Sequence, residues 1–146
     1  MADRTESSIT IAAEAAVIMD VIADLEQYPE WTSGVLEVEV LTVFEDTGRP
    51  AEARFVIDQS GIKDDYGLEY EWDGDISVSW TLGRAGSLMK AMDGTYLLNE
   101  LGEGLTEVVY QLAVDVKIPM LGMIKRKAEK VIVDTALKGL KTRVEG

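Results

Sequence analysis

From Val35 to Ile118 apolar and polar residues alternate with a period of two; after Pro119 the period becomes 3.6 and holds to about residue 144. The first pattern marks strands with one covered face, and the second marks a helix with one apolar side. Several strands in a row followed by one long helix can bury both apolar faces against each other if the helix lies across the sheet. A helix over 121–144 would be roughly 36 Å long, enough to cross several strands.

The rest of the chain fits that plan. Residues 6–12 read as a strand, with Ile9 and Ile11 alternating against Ser8 and Thr10. Val17, Ile18, Val21, Ile22 and Leu25 place one apolar face on a helix over about 13–24. Pro29 suits the first turn of a second, short helix. Strands are then expected over 35–45, with Leu36, Val38 and Val40 on one face, and around Ala53, Phe55 and Ile57. Further strands are expected around Tyr66, Leu68, Tyr70 and Trp72, around Ile76, Val78, Trp80 and Leu82, over 88–99, and over 105–118. Asp73-Gly74 is a hairpin signal. Asp93-Gly94 inside a strand suggests a bulge. Short turns between successive strands imply an antiparallel meander. In the long helix Ile124, Ala128, Val131, Ile132 and Thr135 form one stripe, which Val133, Ala136, Leu137, Leu140 and Val144 widen.

The fold class expected is therefore α+β: a curved antiparallel sheet of about seven strands wrapped around a long C-terminal helix, as one domain over 1–146. With 146 residues the chain can stand on a hydrophobic core without a disulfide or metal. It has no Cys and no His, which excludes thiolate nucleophiles, imidazole relays and zinc sites built from those ligands. No acidic run has the spacing of a calcium loop, so neither a metal nor a cofactor is expected. Net charge is −13, which disfavours binding to phosphate backbones, and no nucleic-acid partner is expected. Residues 120–146 nevertheless carry seven bases against three acids. No apolar leader or membrane-length run is present, and a soluble, cytoplasmic protein is expected.

Two segments carry a family resemblance. Val21-Ile22-Ala23-Asp24-Leu25-Glu26-Gln27-Tyr28-Pro29-Glu30-Trp31 is the more specific; Asp93-Gly94-Thr95-Tyr96-Leu97-Leu98, followed by Gly104-Leu105-Thr106-Glu107-Val108, is weaker. With the order of elements, they make the chain resemble the START/SRPBCC superfamily of helix-grip proteins. Within it the chain is most similar to the bacterial polyketide cyclase/dehydrase-like and coenzyme-Q-binding members. Tyr96 stands where many relatives carry Trp. The resemblance implies a cavity between sheet and long helix that takes lipids, quinones, polyketides or steroids.

Strand parity turns Phe55, Tyr66, Tyr70, Trp72, Trp80, Tyr96 and Tyr110 towards that helix. This fits either plain core packing or an aromatic-lined pocket whose Tyr and Trp tips await a ligand. Phe55, Tyr70, Trp72, Trp80, Tyr96 and Tyr110, with Met123 and Ile124 at the mouth, are the expected ligand-binding residues. No catalytic residue is assigned. Arg54 falls on the outer parity, and Asp64-Asp65 reads as a solvated turn. Met89, Met92, Met120 and Met123 read either as core packing or as the rim of a flexible mouth. Pro119 to Ile124, ahead of Lys125-Arg126-Lys127, reads either as core packing or as a lid hinged at Gly122 that makes transient contact with a membrane surface. The function expected is binding or carrying an apolar or amphipathic small molecule. The alternatives are an aromatase/cyclase-type enzyme and a protein-interaction module without a ligand.

Overall fold

The computed structural model describes residues 4–59, 62–118 and 122–146. Seven strands form one sheet: β1 (Thr5–Ile11), β2 (Val35–Val43), β3 (Pro50–Gln59), β4 (Ile62–Asp73), β5 (Ser77–Arg84), β6 (Met89–Gly102) and β7 (Leu105–Val116). Their order is β1-β7-β6-β5-β4-β3-β2, and each neighbouring pair is antiparallel. The meander thus runs unbroken from β2 to β7, and β1 closes on β7. Helix α1 (Ala15–Ala23), a 3₁₀ turn at Leu25–Gln27 and helix α2 (Tyr28–Trp31) join β1 to β2. Helix α3 (Gly122–Glu145) packs against β1, β7, α1 and α2.

The core lies between the inner face of the sheet and the helices. Helix α1 buries Ala15, Ile18, Met19 and Ile22, a stripe at helical spacing. Val17, expected on that face, is half exposed, and Met19 takes the inward place. On α3 the buried stripe is Val133, Ala136, Leu137 and Leu140, together with Glu129. Ile124 and Val131 of the other expected stripe are exposed. Burying each of Val133, Leu137 and Leu140 stabilises the fold by about 1.5–3 kcal/mol. At Gly139 an added Cβ would collide with the carbonyl oxygen of Trp31. Glycine there lets α3 approach the α2 backbone closely.

Three strand details differ from the sequence pattern. A register shift after Val35 turns Leu36 outward, where it is 59% exposed, while Val38 stays buried. Ile76 belongs to the turn before β5 and is also exposed. No bulge occurs at Asp93-Gly94, which pairs regularly with β5 and β7; the irregularities of β6 fall between Met89 and Ala91 and between Glu100 and Gly102. Gly94 has a different reason. A Cβ there would collide with Cε2 of Trp80, so Gly94 is the seat on which the Trp80 indole rests.

Candidate ligand-binding cavity

Alternate residues of β3 to β7 face the core for most of their length, and six of these inward residues form three directly opposed aromatic pairs. Phe55 faces Tyr66, Tyr70 faces Trp80, and Tyr96 faces Tyr110 across their ladders. Such cross-strand pairs are the unit of sheet stabilisation. Phe55 and Tyr66 stack with planes 3° apart and centroids 6.0 Å apart. Trp80 joins the groups, 5.8 Å from Tyr70, 5.5 Å from Tyr96 and 5.7 Å from Tyr110. Tyr96 and Tyr110 are 4.5 Å apart. From the helical side Tyr28 reaches Phe55 at 6.1 Å and Trp31 at 4.7 Å.

These rings do not fill the space beneath α3. They enclose a cavity of about 90 Å³, whose far wall is Ile132 and Ala136 of α3. Gln59, Met89 and Met92, and Tyr28, Trp31 and Thr32, also line it. The lining among described residues includes no Asp, Glu, Lys or Arg. It is nonetheless polar in places. The Tyr28 hydroxyl donates to the Ile22 carbonyl at 2.5 Å. Among the described residues, no hydrogen bond joins the hydroxyl of Tyr66, Tyr70, Tyr96 or Tyr110 to another side chain or backbone group. All four tyrosines are more than nine-tenths buried. The buried Trp31 Nε1 also lacks a partner. Donors around an interior space are normally paired, so several without a partner among the described residues point to an occupant that accepts hydrogen bonds.

Burial pushes the phenols of Tyr28, Tyr66, Tyr70, Tyr96 and Tyr110 above their ordinary range, and for all but Tyr110 neighbouring tyrosines push the same way. These groups stay protonated at neutral pH. They can donate to a carbonyl or ether oxygen, and they cannot act as bases.

Of the expected binding residues, Phe55, Tyr70, Trp80, Tyr96 and Tyr110 meet around this cavity. Trp72 does not line it. Trp72 stacks on Tyr70 at 5.8 Å, donates from Nε1 to the Pro50 carbonyl at 2.7 Å, and sits under the Arg49 guanidinium. Met123 is 78% exposed and Ile124 is 52% exposed, and neither lines the cavity. Their helical turn lies outward because the inward stripe of α3 begins only at Glu129. Met89 and Met92 line the cavity; Met120 lies outside the described residues, as do Pro119 and Leu121 of the expected lid. Lining residues absent from the expected set include Tyr28, Trp31, Gln59 and Tyr66. The first two belong to the segment that carried the family resemblance and could have been read as lining from it.

The remaining polar groups hold the scaffold. Arg54 lies outward, as its parity implied, and makes a paired contact with Asp65 at 2.6–3.2 Å; Arg84 reaches the same carboxylate at 2.7 Å. Those two guanidiniums hold the Asp65 carboxyl below its ordinary range. Asp64 is no solvated turn residue: it is buried in β4. Its carboxylate accepts from the backbone N–H groups of Ser87, Leu88 and Met89 at 2.8, 3.3 and 2.6 Å, which pins the β5–β6 connection. Glu129 is fully buried; it accepts from Thr5 Oγ1 at 2.7 Å and from the Val114 N–H at 2.8 Å.

A long helix gripped by a seven-stranded sheet is a shape shared with known proteins. The sequence profile of the family described as polyketide cyclase/dehydrase and lipid transport matches residues 11–141. The chain belongs to that family. A START superfamily protein from Mycobacterium smegmatis superposes with a TM-score of 0.89 at 23% identity, covering 97% of each chain. The Zhui aromatase/cyclase from a Streptomyces species superposes with a TM-score of 0.80 at 16% identity, over 99% of this chain and 94% of that one. A protein from Thermus thermophilus gives 0.81 at 26% identity, over 98% and 97%. No curated protein matches the chain by sequence. As a member of the polyketide cyclase/dehydrase and lipid transport family, the chain has the family's fold and its place for a ligand. The fold alone does not name the ligand or a reaction.

Proposed function

We propose that this protein binds and carries an uncharged, ring-bearing amphipathic molecule with hydrogen-bond acceptors, such as a quinone or an aromatic polyketide. One observation carries the reading: a cavity without a charged side chain among its described lining, lined by four buried tyrosines whose hydroxyls make no hydrogen bond to another described residue. An ionised ligand group would enter a low-dielectric space without a counter-charge, which costs several kcal/mol or more. A purely aliphatic ligand would leave the donors unpaired. An acceptor on a planar ring meets both conditions, because the ring packs among the aromatics and its oxygens take the hydroxyls.

Size adds a condition. A cavity of about 90 Å³ holds a small ring or a few waters. Pockets for drug-sized ligands run to roughly 300–1,000 Å³. A larger ligand therefore goes with outward movement of α3, since the sheet wall is held by its ladders.

A second reading is catalysis of the aromatase/cyclase kind, favoured by the same donors. They could polarise a substrate carbonyl while the walls hold a reactive conformer. The high phenol pKa values confine the tyrosines to that donor role. Native mass spectrometry of protein purified from its own host tests the main reading. A co-purifying uncharged aromatic compound is the expected result; clean protein, or a bound fatty acid, would overturn it. Turnover of such a compound that is lost in Tyr70→Phe, with binding retained, would establish the second.

A further inference from the structure

Trp31 is the one described residue shared by the aromatic cavity and a groove on the surface. The groove, of about 540 Å³, lies between α2 and the last turns of α3, where Glu30, Lys138, Gly139, Thr142 and Arg143 also line it. Inside and outside are therefore one residue apart at this point.

The α3 side of that partition is bare. Ala136 belongs to the cavity wall, and Gly139 and Arg143 belong to the groove. Residues spaced three and four apart share one side of a helix, so a single stripe of α3 runs from the cavity to the surface. At Gly139 the stripe has no side chain. A Cβ there would stand 3.3 Å from Cε3 of the Trp31 ring. The indole thus lies beside the gap, and no α3 side chain stands at Gly139 to bar the way.

Hydrogen bonding fixes the start of α2 and leaves the Trp31 ring without an anchor. The Tyr28 hydroxyl is tied to the Ile22 carbonyl, whereas Trp31 Nε1 is buried and has no acceptor among the described residues. A buried N–H without a partner costs free energy, which is returned when the group meets water. Turning the ring into the groove gives up its packing against Tyr28, 4.7 Å away, and gives the N–H a partner in the solvent.

We propose that Trp31 is the door of the cavity: its ring swings into the groove, and ligand passes between α2 and the last turns of α3. The proposal rests on the ligand-binding reading. Passage here leaves every ladder of the sheet intact. A door differs from a wall in its kinetics. Loss of a wall contact mainly speeds release, whereas loss of a door speeds binding and release together.

Stopped-flow tryptophan fluorescence with 1,4-naphthoquinone as the probe reads both rates, and Trp80 remains as a reporter when Trp31 is replaced. Trp31→Leu should raise the association and dissociation rate constants by about tenfold each. The chain has no Cys, so Thr142→Cys can be modified at that position alone with N-cyclohexylmaleimide, a plug in the groove. The modified variant should bind and release naphthoquinone at least about tenfold more slowly, with its Kd unchanged. The same modification of Thr81→Cys, exposed next to inward-facing Trp80 on β5, should leave both rates as in wild type. Should Trp31→Leu fail to fold, the Thr142 variant decides. Saturable binding at wild-type rates in the modified Thr142 variant would overturn the door and leave the cavity reading standing, whatever Trp31→Leu does. Equal slowing in the modified Thr81 variant, or faster dissociation alone in Trp31→Leu, would also overturn it. No saturable binding to wild type would overturn the cavity reading, and the door with it.

Discussion

Gly94 and Trp80 decide how much room the cavity has. The indole lies on the backbone of Gly94, where any side chain would strike it. Gly94→Ala should push Trp80 into the 90 Å³ space and destabilise the fold by about 1–3 kcal/mol, as overpacking does. Denaturant unfolding would give that loss, and naphthoquinone binding should weaken in the same variant. Unchanged binding would show that Trp80 has somewhere else to go. The tyrosines give a prediction about pH. All five are buried with raised pKa values. Their neutral form is favoured by the fold, so the stability they contribute is complete below about pH 10, the ordinary phenol value. It is lost as pH rises above that, because the unfolded chain ionises first. Phenolate absorbance should therefore appear together with unfolding, and reversible titration of a folded protein near pH 10 would contradict the burial.

At the scale of elements, α3 is tied to the sheet by an acid that periodicity could not mark. Glu129 sits on the buried stripe of α3 and accepts from β1 and β7. Val114 lies two residues beyond the last described pair of the β1–β7 ladder, and Glu129 takes the place of a strand there. Glu129→Ala should cost about 1–3 kcal/mol by leaving a buried N–H without a partner; Glu129→Gln, which keeps an acceptor, should cost less. Equal stability of wild type and Glu129→Ala in urea would refute this role. Removing residues 122–146 should abolish cooperative unfolding, because the sheet would lose the cover of its apolar face. A soluble truncated chain with a sharp transition would contradict it. The elements themselves were legible, since the change from period two to 3.6 at Pro119 needs no tertiary information. Parity also placed Phe55, Tyr70, Trp80, Tyr96 and Tyr110 inward. It failed at Leu36, where a register shift flips the face, and at Ile76, which a turn claims. On α3, helical periodicity put Ile124 in the apolar stripe, where it is exposed, because an apolar residue near a helix start does not reveal which way that turn faces. Asp64 and Glu129 escaped for a related reason: a buried acid looks like a surface acid until its donors are seen.

For the whole molecule, charge and cavity divide the work. The body is acidic, the end near the start of α3 is basic, and the described lining between sheet and helix has no ionised side chain. This arrangement favours an uncharged guest inside. The central claim concerns the guest, and a matched pair of probes tests it most directly. Naphthoquinone and naphthoate are similar in size and differ in carrying carbonyl acceptors or a charge. Titrating each into wild-type protein by tryptophan fluorescence reports on Trp31 and Trp80, which both line the cavity. The account predicts saturable binding of naphthoquinone, at least about tenfold tighter than naphthoate because the cavity offers the carboxylate no counter-charge. Equal affinities, or tighter binding of naphthoate, would contradict it.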